Sequence, residues 1–328
     1  MLDIAVIGAG RIGQIHARNI AAHAGARLVG IADPDSAAAA RLAEACASQV
    51  ITLDAAFAAS AVLIASPTPT HAGFIERAAA AGRAVFCEKP IDLDAARARA
   101  CIEVAERAGI PLMVGFNRRF DPNFATLKAA LNEGAIGAVE VLAITSRDPS
   151  PPSPSYVAAS GGLFRDMAIH DLDMARFLLG EAVVEVFAAA SCLVDPAIAD
   201  AGDVDTALIT LRTASGRLCS ISNSRRASYG YDQRIEVHGA AGMLRAGNMV
   251  LNTLEQAGPA GFTTAPAQPF FLERYAAAYR AELDEFVAAV TDGRAPRPDG
   301  RDGLAALLLA DAAAQSLRTG RAVRPDSA

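Results

Sequence analysis

The first 115 residues switch repeatedly between short, almost wholly apolar runs and Ala-rich stretches with helical spacing. Residues 4–7, 27–32, 50–52, 62–65, 84–87 and 112–114 read as strands, and residues 11–23, 36–47, 70–81 and 93–108 as the helices between them. A strand that is apolar at nearly every position, rather than every second one, is buried on both faces and needs helices above and below it. Strand, helix and strand at this spacing give parallel strands joined by right-handed crossovers. The expected architecture is an α/β fold whose N-terminal part is an open, doubly wound parallel sheet.

The pattern changes near residue 118. Residues 120–133 read as a further helix, 139–146 as a longer strand, and 148–156 as a Pro/Ser-rich loop. A helix follows Gly161-Gly162 and runs to Leu179. Five runs with β character come next, at 183–194, 206–212, 217–225, 233–238 and 242–251, joined by short Gly-containing connections that favour antiparallel pairing. Residues 271–291 and 303–319 close the chain as helices. This predicts two domains: 1–118, a nucleotide-binding sheet, and 119–328, an α+β domain with an open, largely antiparallel sheet.

Composition narrows the class of partner. Net charge is −6, the wrong sign for binding a phosphate backbone, and aromatics are only 5% with no Trp, so nucleic acid is not an expected partner. The longest stretch without a formal charge, 55–75, is broken by Pro67, Pro69 and His71, which does not suit a membrane span. Five widely spaced cysteines without a Cys-x-x-Cys pair fit neither a disulfide framework nor a structural zinc site. A cytoplasmic small-molecule protein is the expectation. Of the 30 basic residues only Lys89 and Lys128 are lysines, so a lysine here marks a place for a compact ammonium rather than a planar fork.

Gly8-Ala9-Gly10-Arg11-Ile12-Gly13 follows the first strand and opens the first helix. Gly8 permits the turn, Gly10 lets backbone approach a pyrophosphate, and Gly13 lets the helix pack closely. Asp33, at the end of the second strand, is placed to accept the adenosine ribose hydroxyls and to repel a 2′-phosphate, which selects NAD over NADP. Together these features predict a Rossmann dinucleotide site. Ser66, Pro67, Thr68 and His71 leave the fourth strand, at 62–65, and suit a loop under the cofactor. Glu88-Lys89-Pro90 leaves the strand at 84–87, at the end where such sheets put their ligands.

A second cluster lies at 161–173. On an α-helix Asp166, His170 and Asp173 fall within about 60° of arc, on a segment otherwise wrapped in apolar residues. An imidazole between two carboxylates suits a general base. The same cluster could offer His-x-x-Asp to a metal, but no second His or Cys pair stands near it, and a nicotinamide hydride acceptor needs none. No metal is expected.

With these residues assembled, the chain resembles the Gfo/Idh/MocA oxidoreductases, and within them the bacterial inositol 2-dehydrogenases. The resemblance rests on the stretches 86–93, 114–121, 161–179 and 223–237. It implies NAD-dependent oxidation of myo-inositol to 2-keto-myo-inositol in a homotetramer. It also implies a catalytic set of Lys89, Asp166 and His170, with Arg118, Asp173, Tyr229 and Tyr231 lining the polyol pocket. Ala168 stands where many relatives carry Thr, which removes one hydroxyl. Two alternatives share these motifs: a dehydrogenase of another polyol or sugar, such as scyllo-inositol or a glucose-type substrate, and a non-catalytic regulator that senses NAD.

Overall fold

The computed structural model describes residues 1–325. They fall into two compact units. Among the described residues, the first comprises Met1–Phe120 with Ala278–Leu307, and the second Asp121–Ala277 with residues 308–325. A single boundary at 118 does not express the return of 278–307 to the first unit. The reason is apolar: Leu283, Phe286 and Val287 complete the same core as Ile4, Val6, Leu63 and Phe86.

In the first unit, strands β1 (Leu2–Ile7), β2 (Ala26–Ala32), β3 (Ala61–Ile64), β4 (Ala84–Cys87) and β5 (Leu112–Val114) form one sheet, ordered β2-β1-β3-β4-β5. Every pairing is parallel. The register aligns Ile7 with Ile64, Ile64 with Cys87, and Cys87 with Val114, so four strands end level with one another. All residues of β3, β4 and β5 are buried, as two helical layers demand. Carboxylates set several helix starts. Asp35, Asp94 and Asp121 each accept two backbone N–H bonds at the heads of Ser36–Ala45, Ala95–Ala108 and Pro122–Asn132. Residues 50–52 are not a strand; only Val50 bridges, to Ile31.

In the second unit, β6 (Val139–Arg147), β7 (Val183–Ser191), β8 (Thr206–Thr213), β9 (Leu218–Ser224), β10 (Asp232–Gly239) and β11 (Gly242–Ala246) form a sheet ordered β11-β10-β6-β9-β8-β7. Only β6 and β9 pair in parallel. Burial alternates along β8 and β10, so one face is packed and the other open, as the short-connection pattern predicts. The helix Ile169–Leu179 packs on β6. Two expectations shift here, and one element was not foreseen. The loop at 148–156 gives way to a short helix, Pro154–Ser160, because Ser153 caps it and Pro154 suits a first turn. The helix expected over 271–291 is interrupted at Tyr275. An exposed hairpin, Glu255–Gly258 with Gly261–Thr264, has no apolar alternation by which sequence could reveal it.

Asp205 organises the connection after β7. Its carboxylate accepts the backbone N–H groups of Leu193, Val194 and Asp195 at 2.8–3.0 Å and the Thr206 hydroxyl at 2.9 Å. Burial pushes its pKa up, but the bonds from Leu193, Asp195 and Val194 outweigh that and hold it at about 2. A depressed carboxylate pKa stabilises the fold above the unfolded value and loses that contribution as pH falls. Unfolding followed by circular dichroism is therefore expected to show about 2 kcal/mol lost between about pH 4 and pH 2. Asp205→Asn should flatten this acid limb; an unchanged limb contradicts the assignment.

Candidate active site

Four loops leave the level edge of the parallel sheet. The first is the glycine loop. Gly8 has φ of +109°, and a Cβ there would sit 2.6 Å from the Ala65 carbonyl. A Cβ on Gly13 would sit 2.0 Å from the Gly8 oxygen, so helix and loop meet backbone to backbone. Around Gly10 no atom lies within 4 Å of a Cβ position, and the helix Arg11–Ala22 begins there without a side-chain cap. A helix start presents backbone N–H groups that suit an anion. Arg11 is exposed and Ile12 half-buried beside them. This set fits a dinucleotide: open space at an uncapped helix start, where a pyrophosphate would bind, and closed contact elsewhere.

Asp33 ties this loop to the end of β2. One carboxylate oxygen accepts the Ala9 N–H at 2.6 Å, and the other accepts the Asp35 N–H at 2.8 Å. The cap of the following helix belongs to Asp35, so Asp33 is not spent on capping. Each Asp33 oxygen keeps acceptor capacity for ribose hydroxyls.

The second loop carries Ser66, Pro67 and Thr68 into a 3₁₀ turn, Thr68–Thr70, with the Ser66 and Thr70 hydroxyls 2.7 Å apart. His71 is buried beneath it. Its Nε2 lies 2.7 Å from the Ser66 carbonyl and its Nδ1 2.8 Å from the Pro90 carbonyl. Two carbonyl acceptors favour imidazolium and burial favours the neutral ring; burial prevails, and the pKa falls below its ordinary value. The structure makes His71 a brace between two loops, with both ring nitrogens directed at backbone.

The third loop is Glu88-Lys89-Pro90. The Glu88 N–H donates to the Ile64 carbonyl at 2.9 Å, extending the ladder one residue past β4. Its carboxylate lies 2.7 Å from His16 Nε2 and also accepts the Lys89 N–H at 3.3 Å. The fourth loop follows β5 and enters a 3₁₀ turn, Asn117–Phe120, in which Arg118 is buried.

In the second unit the segment from Phe164 to Ala168 is a π-helical turn that runs into the α-helix Ile169–Leu179. One wider turn changes the direction of Asp166 relative to His170, so the pair is not a regular α-helical i,i+4 pair. The Asp166 carboxylate accepts the Tyr156 hydroxyl at 2.9 Å and the Arg225 guanidinium at 3.2 Å. Arg225 is buried, with a second nitrogen 3.7 Å from Asp148. His170 is half-buried, Asp173 is buried, and the buried Asp171 accepts the Asn223 amide at 2.8 Å. The two tyrosines separate. Tyr229 is half exposed, donating to Asp232 at 2.7 Å and accepting from Arg147 at 3.0 Å. Tyr231 is buried, its ring edge-on to Phe270 and Tyr275 at about 6 Å. That packing makes Tyr231 part of the core.

Sequence reasoning took Tyr156 as structural or loop-bound and gave Arg225 no individual role. Arg225 lies in the 223–237 stretch that carried part of the resemblance, which was the available signal; Tyr156 sits in what read as a plain loop.

Residues 2–116 match the model of an oxidoreductase family with an NAD-binding Rossmann fold, and residues 124–245 match the model of the GFO/IDH/MocA C-terminal domain. An inositol 2-dehydrogenase of Rhizobium meliloti is 54% identical over 321 residues, 97% of each chain. The chain belongs to the Gfo/Idh/MocA oxidoreductase family. A second relative in it, a myo-inositol 2-dehydrogenase of Thermotoga maritima, is 46% identical over 98% of each chain. The crystal structure of a myo-inositol dehydrogenase from Corynebacterium glutamicum superposes with a TM-score of 0.95, at 46% identity, over the full length of both chains. As a member of this family the chain is an NAD-binding oxidoreductase. No helix among the described residues is long and apolar enough to cross a membrane.

Proposed function

We propose that this chain oxidises the C2 hydroxyl of myo-inositol to a ketone, giving 2-keto-myo-inositol, with NAD⁺ as acceptor. The observation that carries the reading is 54% identity to an inositol 2-dehydrogenase across 97% of both chains. NAD⁺, when bound, supplies the hydride acceptor. Gly8, Ala9, Gly10, Arg11, Ile12 and Gly13 hold its phosphates, Asp33 its ribose, and Ser66, Pro67, Thr68, Glu88 and Lys89 the remainder. His170 takes the hydroxyl proton as general base. Lys89 donates to the reacting oxygen as negative charge grows on it, an effect worth ~2–4 kcal/mol. Asp166, held by Arg225 and Tyr156, orients the ring and offsets the imidazolium charge. Arg118, Asp173 and Tyr229 bind neighbouring hydroxyls, where a wrong isomer leaves a buried partner unpaired.

Following NADH absorbance with myo-inositol, scyllo-inositol and D-glucose tests the proposal. The expected result is the highest kcat/KM on myo-inositol. A higher value on another polyol assigns the site to that substrate, and tight NAD⁺ binding with no turnover on any of them assigns the chain to sensing. Asp33→Ala should raise the KM for NAD⁺ about tenfold, with kcat within about twofold, because it removes a ribose acceptor and no reacting group. An unchanged KM would remove Asp33 from the cofactor site.

We further propose a cytoplasmic homotetramer. The open face of the six-stranded sheet supports assembly. It exposes Val141, Phe187, Leu208, Leu218 and Met243, and Met243, Val141 and Leu218 stand in one cross-strand row through His238. Light scattering should give four times the 33.8 kDa chain mass.

A further inference from the structure

Glu282, on the helix Ala276–Asp292, is wholly buried, and neither of its carboxylate oxygens has a hydrogen-bond partner. It stands beside two other titratable groups: His16, on the helix that opens with the glycine loop, and Glu88, at the end of β4. One ligand atom from each of the three lies within 4.8 Å of the other two. His16 and Glu88 already bond at 2.7 Å, and the imidazole is fixed edge-on against Phe86 and Tyr279, with ring centroids 5.0 and 5.6 Å away. The Glu88 carboxylate also packs over Gly115, where a Cβ would come within 3.0 Å of it. Glu88 therefore has a defined seat, and it shares a dipeptide with Lys89.

Two carboxylates in one buried site do not both ionise. Glu88 has His16 and the Lys89 N–H to stabilise its charge, whereas Glu282 has no such donor. Of the two, Glu282 is therefore the one that keeps its proton. We propose that Glu282 is a positioning acid: a neutral carboxylic acid that gives its O–H to the Glu88 carboxylate and so holds the Glu88-Lys89-Pro90 turn for the cofactor. The two carboxylates have oxygens no more than 4.8 Å apart, and the proposed bond requires the Glu282 side-chain torsions to turn toward Glu88. The function of this turn rests on the reading given under Proposed function; the protonation state of Glu282 does not.

The direction of titration agrees. Burial, reinforced by the Glu88 charge, pushes the Glu282 carboxyl well above the usual range. The titratable groups facing it are His16 from the Arg11–Ala22 helix and Glu88 from the end of β4, with Tyr279 one turn away on its own helix. A raised folded-state pKa gives stability that is complete below the unfolded carboxyl pKa and lost as pH rises through the folded one.

The experiment compares the full chain with Glu282→Gln, which keeps a neutral donor, and Glu282→Leu, which does not. Without cofactor, wild type at neutral pH should show the infrared carbonyl stretch of a carboxylic acid, absent from Glu282→Gln. Its Tm should fall with rising pH more steeply than that of Glu282→Gln. In calorimetric titration, Glu282→Gln should bind NAD⁺ within about twofold of wild type and Glu282→Leu about tenfold more weakly, although its Tm is equal or higher. A purely structural role would make affinity follow Tm instead. The proposal is overturned by the absence of an acid band, by equal weakening in the two variants, or by full affinity in Glu282→Leu. Stoichiometric divalent metal in wild type that Glu282→Gln lacks also overturns it, by making the cluster a metal site. If wild type shows the acid band but binds no NAD⁺, the cofactor reading fails while the neutral acid stands.

Discussion

His170→Ala is expected to lower kcat about 10³-fold, near 4 kcal/mol of transition-state stabilisation, and to leave the Kd for NAD⁺ within about twofold. The asymmetry follows from the placement of the groups. The glycine loop, Asp33 and the Ser66 turn all belong to the first unit, and His170 to the second, so removing the imidazole takes away a proton acceptor without touching any residue assigned to the dinucleotide. Truncation also exchanges a half-buried side chain for a small one on a helix, which alanine favours. The fold should persist, with an unchanged circular dichroism spectrum. Steady-state NADH formation and fluorescence titration of NAD⁺ together read the split. Turnover at the wild-type rate would dismiss His170 as the base, and a parallel fall in NAD⁺ affinity would make it a binding residue.

Two glycine substitutions separate fold from ligand. Gly13→Ala places a methyl carbon 2.0 Å from the Gly8 carbonyl oxygen, in a contact between two backbones that has no flexible side chain to yield. The expected cost is about 3 kcal/mol of stability, with NAD⁺ binding lost because the loop must move. Gly10→Ala meets no protein atom within 4 Å and has an ordinary extended backbone, so its Tm should stay within a few degrees of wild type. It should still weaken NAD⁺ at least tenfold, by filling the space a pyrophosphate takes. Denaturant melts beside calorimetric titrations decide this. If Gly10→Ala binds NAD⁺ normally, that open space is not the phosphate site.

Much of the first unit was legible along the chain. The apolar runs at 62–65 and 84–87 differ from the observed strands by at most one residue at each end, because burial on both faces leaves a continuous signal. The glycine loop was legible because Gly8 and Gly13 answer local steric demands and Gly10 keeps the space beside the helix start open. Segment ends were less so: Asp94 and Asp121 moved two helix starts by capping them, and Tyr275 divided a helix expected to be continuous. The arc drawn through Asp166, His170 and Asp173 assumed regular α-helical spacing, and the π turn at Phe164–Ala168 altered it. Nothing in the residue order of 164–168 announces such a turn. Tyr231 was expected in a pocket, yet aromatic neighbours more than 35 residues away enclose it.

The residue order alone determined that strands and helices alternate, that the first turn is shaped for a pyrophosphate, and which side chains could carry a proton. Those properties depend on backbone sterics and on periodicity within a few residues. Only the tertiary structure decided that Asp166 lies against Arg225, 59 residues on, that His16 reaches Glu88 across 72 residues, and that Glu282 joins them from a helix near the end of the chain. Contacts of that kind are selected by which apolar faces bury together, and a polar group carried inward with such a face takes whatever partners the packing provides.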